Sequence, residues 1–255
     1  MKTLIISLLF MLFCSVIYPQ NITNTLGSSG IFTIKDASGN YLTLSQSTGQ
    51  VNILKTLRLE NTTSSSLGII FKGTNSFLHV YKASGSDGFN TFLGINAGNF
   101  TMSGSGVYAS YNTAIGYLCL NNNTNGFRNT ALGYSALFSN STGGDNTSVG
   151  NESLTANTTG YNNTALGNGS LYSNTTGYNN TALGDVSLAT NTLGNYNTAV
   201  GLASMNINST GSYNTALGVN SLYANGTGNS NTAIGSYSLY NNTASSNTAV
   251  GDSSL

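Results

Sequence analysis

Over most of the chain the apolar positions recur with a period far longer than that of a helix or a strand. The unit Asn-Thr-Ala-(Ile/Leu/Val)-Gly, with Ser148 once in place of Ala, ends at Gly116, Gly133, Gly150, Gly167, Gly184, Gly201, Gly218, Gly235 and Gly251. A variant, Asn90-Thr91-Phe92-Leu93-Gly94, precedes them, and the successive intervals are 22 residues, then 17 seven times, then 16. Three residues after each repeated Gly stands a small residue, from Cys119 and Ala136 through Ser153 to Ser254. The next position is long and apolar, at Leu120, Leu137, Leu154, Leu171, Leu188, Met205, Leu222, Leu239 and Leu255. Seven residues after the Gly comes Asn, at Asn123, Asn140, Asn157, Asn174, Asn191, Asn208, Asn225 and Asn242. A turn-like Thr-Thr-Gly or close variant usually follows, with its own glycine at Gly126, Gly143, Gly160, Gly177, Gly194, Gly211 and Gly228. Positive φ is expected at these turn glycines.

This pattern predicts an all-β chain, a parallel β-solenoid of about ten 17-residue coils. Each coil offers two short strand segments, Thr-Ala-Leu and Ser-Leu-Tyr in the unit around Gly167, separated by bends. A helical solenoid needs units of about 33–47 residues and helix formers, and this period is too short. Stacked at about 4.7–4.9 Å per strand, ten coils make a column on the order of 45 Å long. One coil cannot bury its Leu pair alone; successive coils bury it for one another. Two further contributions are expected: amide-to-amide hydrogen bonds along the Asn column, and burial of the small-residue face against another subunit.

Before the repeats the alternation changes to that of ordinary strands. Ile31–Lys35, Tyr41–Ser45, Val51–Leu54, Leu57–Leu59 and Ile69–Phe71 read as strands, with turns at Asp36–Asn40 and Gly73–Ser76. Residues 21–88 therefore form a small β-stalk or β-domain, completed by partner chains, ahead of a repeat region at 89–255. Residues 1–20 carry Lys2, an apolar run from Leu4 to Ile17, then Pro19 and Gln20, the order of parts in a secretory signal peptide. The run is too short to span a bilayer, so no membrane span is expected in the mature chain. The chain stops in mid-unit at Gly251-Asp252-Ser253-Ser254-Leu255, which reads as the N-terminal part of a longer protein.

Composition narrows the function classes. Charged residues are 5% of the chain, with seven Lys or Arg against seven Asp or Glu. That balance excludes a basic nucleic-acid surface, and the low net charge excludes charge-driven disorder. No phosphate-cradling, nucleophilic or metal-binding motif is present, so neither a cofactor, a metal nor enzymatic activity is expected. The lone His79 has no obvious partner for ligation or base chemistry and reads as an interior or edge-strand residue. Asp145, Glu152, Asp185 and Asp252 are too scattered for a carboxylate pair. Once the signal segment is removed Cys119 is the only thiol, read as an Ala-sized buried residue, with an intersubunit disulfide as the alternative. Asn-x-Ser/Thr triplets such as those at Asn157 and Asn174 read as by-products of turn chemistry. Tyr172, Tyr223 and Tyr240 share one column, Tyr161 and Tyr178 another, and Tyr196 and Tyr213 a third. Rung-to-rung stacking is their structural reading; a row of aromatic platforms for sugars or partner proteins is the functional one.

The sequences Asn112–Gly116, Asn163–Gly167, Asn180–Gly184 and Asn197–Gly201 resemble the Ser-Val-Ala-Ile-Gly repeats in the heads of trimeric autotransporter adhesins and related repeats of tail-fibre-like secreted bacterial proteins. The resemblance implies a left-handed β-roll, three chains side by side, and a secreted or cell-surface fibre that presents a binding surface to a host or environmental protein or glycan. Thr replaces the apolar residue usual before Ala, the coil is longer, and no membrane anchor follows. Specificity in such a fibre would sit one, two, five and six residues after each Gly. A second function is motivated by the uncharged column Thr130, Thr147, Thr164, Thr181, Thr198, Thr215, Thr232 and Thr248: a solvent-facing Thr array that binds ice. That reading requires the column to point outward.

Overall fold

A computed structural model describes residues 31–36, 39–45, 50–53, 70–72 and 74–255. Among them every regular element is a strand. The predicted signal segment and the strand expected at Leu57–Leu59 lie outside the described residues. The strands form two units. The first is an antiparallel meander of β1 (Ile31–Asp36), β2 (Gly39–Ser45) and β3 (Gln50–Ile53), at the places where alternation predicts strands.

The second unit is the solenoid. Its sheet begins with β4 (Ile70–Lys72), β5 (Asn75–His79) and β6 (Thr91–Leu93), paired antiparallel. From β6 onward the pairing is parallel, through β7 (Thr113–Ile115), β8 (Thr130–Leu132), β9 (Thr147–Val149), β10 (Thr164–Leu166), β11 (Thr181–Leu183), β12 (Thr198–Val200), β13 (Thr215–Leu217), β14 (Thr232–Ile234) and β15 (Thr248–Val250). Thr pairs with Thr and Ala with Ala from coil to coil, as in Thr164↔Thr181 and Ala165↔Ala182. The repeat glycines therefore stack one above another, and the sequence period is one turn of a β-solenoid.

Only one strand forms per coil. The Ser-Leu-Tyr segment expected as the second is a turn, because its residues alternate into the left-handed region: Leu137 has φ 52°, Leu171 φ 51°, and Ser135, two residues earlier, φ 52°. The conformation costs roughly 1–2 kcal/mol per non-glycine residue. It turns the Leu side chain fully inward while its N–H still bonds the next coil, as from Leu137 to the Ser153 carbonyl at 3.1 Å. The turn glycines also differ from expectation. Gly143 and Gly160 have no positive φ, and glycine is required there for closeness. A Cβ on Gly160 would collide with the Asn157 Oδ1 and the Gly177 carbonyl oxygen. Positive φ belongs instead to the repeat glycines, such as Gly150 and Gly167 at 138°.

The interior holds one Leu or Met, one Ala, one small residue and two Asn per coil. Of the expected Leu pair, only the member four residues after Gly is inside. The Asn ladder forms as predicted: Asn140 donates to Asn123, Asn157 to Asn140 and Asn174 to Asn157 at 2.8–2.9 Å. A second ladder runs beside it through the Asn of the repeat unit itself, as in Asn146 to Asn129 and Asn163 to Asn146 at 3.1 Å. Both ladders donate to the turn-glycine carbonyl. Gly160 O accepts from Asn146 at 2.9 Å and from Asn157 at 3.0 Å. Buried amides are thus satisfied by other buried amides, which removes most of their desolvation cost.

The N-terminal end of the solenoid is closed by aromatic residues. Phe92 occupies the Ala position and is fully buried, and His79 lies against it and against Phe100, with centroids 4.9 and 4.3 Å away. Asn123, at the start of its ladder, donates to the Met102 Sδ at 3.3 Å.

Candidate functional site

The outward side of the parallel sheet is the most regular surface on the protein. Each strand has three residues. The repeat glycine bends the chain away at one end, and a left-handed residue, such as Asn162 at φ 55°, does so at the other. Side chains alternate across a strand, so Ala enters the core while Thr and the aliphatic residue share the opposite face. Thr130, Thr147, Thr164 and Thr248 are exposed, and Thr181, Thr198, Thr215 and Thr232 are half-buried. Beside them runs a second column: Leu166 is 49% exposed, Leu217 41% and Val250 68%, with Ile115, Leu132 and Ile234 similarly open. Neighbouring members of a column are about 4.7–4.9 Å apart, and the two columns are separated by two residue rises, about 6.6 Å. Neither column carries a charge.

The aliphatic column is what the sequence reading missed. Leu166 and its equivalents appear there as half of a buried pair. The strand alternation carries the signal, since a buried Ala forces its two neighbours outward.

The other columns take the following places. Leu137 and Leu171 are fully buried, as are Asn123, Asn140, Asn157 and Asn174, and all act in the core. The buried amides at Asn157 and Asn174 are closed to glycan attachment in the folded chain. The small-residue column is also interior: Ala136, Ser153, Ser170 and Ser187 are inaccessible within a single chain. Its close packing is therefore internal, within one chain, and not against another subunit as the small side chains suggest. Where Ser148 replaces Ala, its hydroxyl donates to the Ser153 carbonyl at 2.8 Å, so the added polar group is satisfied. Cys119 is fully buried and its S–H donates to the Gly133 carbonyl at 2.6 Å. Burial raises the thiol above its ordinary range, against the opposing effect of the Ala136 and Gly133 backbone contacts. An intersubunit disulfide has no route to this sulfur.

The tyrosines stack along the coils. Tyr161–Tyr178 and Tyr223–Tyr240 lie face to face at 4.8 and 5.0 Å. In each pair one face of each ring is covered by the other, the rung-to-rung stacking expected of these columns. Tyr172 is exposed, with Thr155 and Ala189 as its column neighbours.

The chain matches no family model, no curated protein and no solved structure. The fold and the surface chemistry carry the functional argument alone. Among the described residues no group of three or more His, Cys, Asp or Glu is placed to hold a metal ion, and no helix is long and apolar enough to cross a membrane. An open groove of about 430 Å³ lies at the N-terminal end, lined by Asn and Ser residues with Phe100.

Proposed function

We propose that this protein is the structural and adhesive part of a secreted or surface-exposed fibre, non-enzymatic, in which copies of the chain associate through the Thr/aliphatic sheet face. The observation that supports this is the aliphatic column running in register from Ile115 to Val250, exposed at six of its nine positions and half-buried at Val149, Leu183 and Val200. An uncharged strip about 38 Å long gains by leaving water, at roughly 25 cal/mol for each Å² of apolar area covered. Self-association also fits the resemblance to adhesin head repeats, which suggests three chains. The columns one, two, five and six residues after Gly then remain for a host or environmental protein or glycan.

Light scattering on the mature chain at micromolar concentration tests this. Three-chain particles are expected, with Leu166→Asp shifting them to single chains of unchanged far-ultraviolet circular dichroism. A wild-type chain that stays a stable monomer overturns the reading.

Ice binding is the second reading, favoured by the outward direction of the Thr column. Threonine hydroxyls and methyls on a rigid flat lattice can hold water in an ordered layer. The two readings compete for one face, because a surface covered in an oligomer cannot meet ice. Thermal hysteresis from a monomeric chain supports the second reading and removes the first.

A further inference from the structure

Four tyrosines on successive coils form an unbroken chain of ring contacts. Tyr161 and Tyr178 are 4.8 Å apart with planes 3° from parallel, Tyr178 meets Tyr196 edge-on at 5.4 Å, and Tyr196 and Tyr213 are 5.0 Å apart at 6°. Tyr161, Tyr196 and Tyr213 are exposed and Tyr178 is half-buried, so an oxidant in solution reaches the ladder. Backbone bonds fix the spacing: Asn179 N–H donates to the Tyr161 carbonyl and Tyr196 N–H to the Tyr178 carbonyl, each at 3.1 Å. The Tyr178 N–H itself is held by Asn195 Oδ1 at 2.9 Å. Cys119, the free cysteine among the described residues, is buried, so no disulfide staples these coils.

We propose that this ladder is a covalent modification site, at which a one-electron oxidant of the haem-peroxidase class, working on hydrogen peroxide, joins adjacent coils through dityrosine bonds. Each of two neighbouring phenols gives up one electron and one proton. The two ring radicals couple through carbons ortho to the oxygens, forming one C–C bond. The hydrogen displaced from each of those carbons returns to its own oxygen, restoring both phenols. Hydrogen peroxide takes the two electrons and two protons and leaves as two waters.

Proximity favours this outcome. Coupling between rings that the solenoid already holds together is unimolecular, whereas coupling between chains requires a bimolecular encounter. Burial first, then the neighbouring Tyr196, Tyr161 and Tyr213, raises the Tyr178 phenol above its ordinary value of 10.0. It is therefore neutral near pH 7, and its proton leaves with the electron. Tyr172, with no ring beside it in its column, is an internal control. The bonds form within one chain, so the inference stands or falls separately from self-association through the sheet face.

The test treats the full chain with a haem peroxidase and hydrogen peroxide and reads dityrosine fluorescence, intact mass and chymotryptic peptide maps. The native chain is expected to yield about tenfold or more intrachain dityrosine than the same chain unfolded in urea. The mass should fall by two hydrogens per bond, with links at Tyr161–Tyr178 and Tyr196–Tyr213. Tyr178→Phe should abolish the first link and keep the second, which also reports that the variant is folded. Equal yields in native and unfolded chains, links spread to Tyr172, or a product pattern unchanged by Tyr178→Phe would overturn the proposal.

Discussion

At the residue scale the fold depends on amides more than on hydrocarbon. Asn157 donates to Asn140 and to the Gly160 carbonyl and accepts from Asn174, all inside the core. Truncation at this position strands acceptors and a donor away from water, so Asn157→Ala should cost about 3–5 kcal/mol in urea unfolding. Asn151→Ala, which breaks one exposed bond to Asn168, should cost about 0.5 kcal/mol or less. The sole histidine has a different effect. Its Nε2–H donates to the Ala97 carbonyl at 2.9 Å, and its Nδ1 is buried without a partner. Burial pushes the imidazole below its ordinary 6.5, against the smaller opposite effect of the Ala97 bond. A proton on Nδ1 would add a donor with nothing to receive it. Well above pH 6.5 neither the folded nor the unfolded state is protonated, and stability is at its full value. Below that point the unfolded chain takes up a proton that the folded one resists. Stability then falls by up to about 1.4 kcal/mol per pH unit until the folded value is passed. Urea midpoints between about pH 7.5 and 5.5 should show this decline, and His79→Phe should flatten it.

At the element scale each coil is a three-residue strand followed by turns whose geometry repeats, and its two kinds of glycine differ in what they require. Gly150 has φ 138°, and a Cβ there would collide with the Gly167 carbonyl. Gly150→Ala should therefore cost about 3 kcal/mol or more, combining backbone strain with overpacking. Gly169, at φ 60°, occupies a column where Ser135 and Asn220 hold similar angles, and a Cβ there would meet only Val186 Cγ1, at 3.3 Å. Gly169→Ala should lie within about 1 kcal/mol of wild type by the same measurement. This contrast also shows what the sequence could disclose. The period, the parallel stacking, the buried Leu171 column and the Asn157 ladder were legible because each is a fixed residue type at a fixed interval. The second Asn ladder was hidden inside the repeat unit, where Asn163 reads as part of a motif rather than as a buried donor. The turn at Leu171 was hidden more deeply, since nothing in Ser-Leu-Tyr announces a left-handed leucine. On the surface, Leu166 reads as core because its hydrophobicity masks the alternation that a buried Ala165 imposes.

At the scale of the whole solenoid, stability is a sum of coil terms and neighbour terms, because each coil touches mainly the ones before and after it. From Gly116 to Gly235 the amide, leucine and threonine ladders all repeat at 17 residues, and that interval is the register in which they align. A deletion of Asn168–Gly184 removes one full period and joins Gly167 to Asp185, so each column closes on its own kind. This variant should fold, keep the circular dichroism of the parent and lose only the neighbour terms of one coil. A deletion of Asn168–Thr175 removes fewer residues and yet sets Asn179 in the Leu154 column, Ala182 in the Asn157 column and Asp185 in the Gly160 column. It should lose cooperative unfolding or fail to fold. If the shorter deletion were tolerated as well as the longer, the stability would lie in local turn chemistry rather than in the matching of columns. The Thr/aliphatic face would then no longer be a single rigid lattice, and both readings of its function depend on that rigidity.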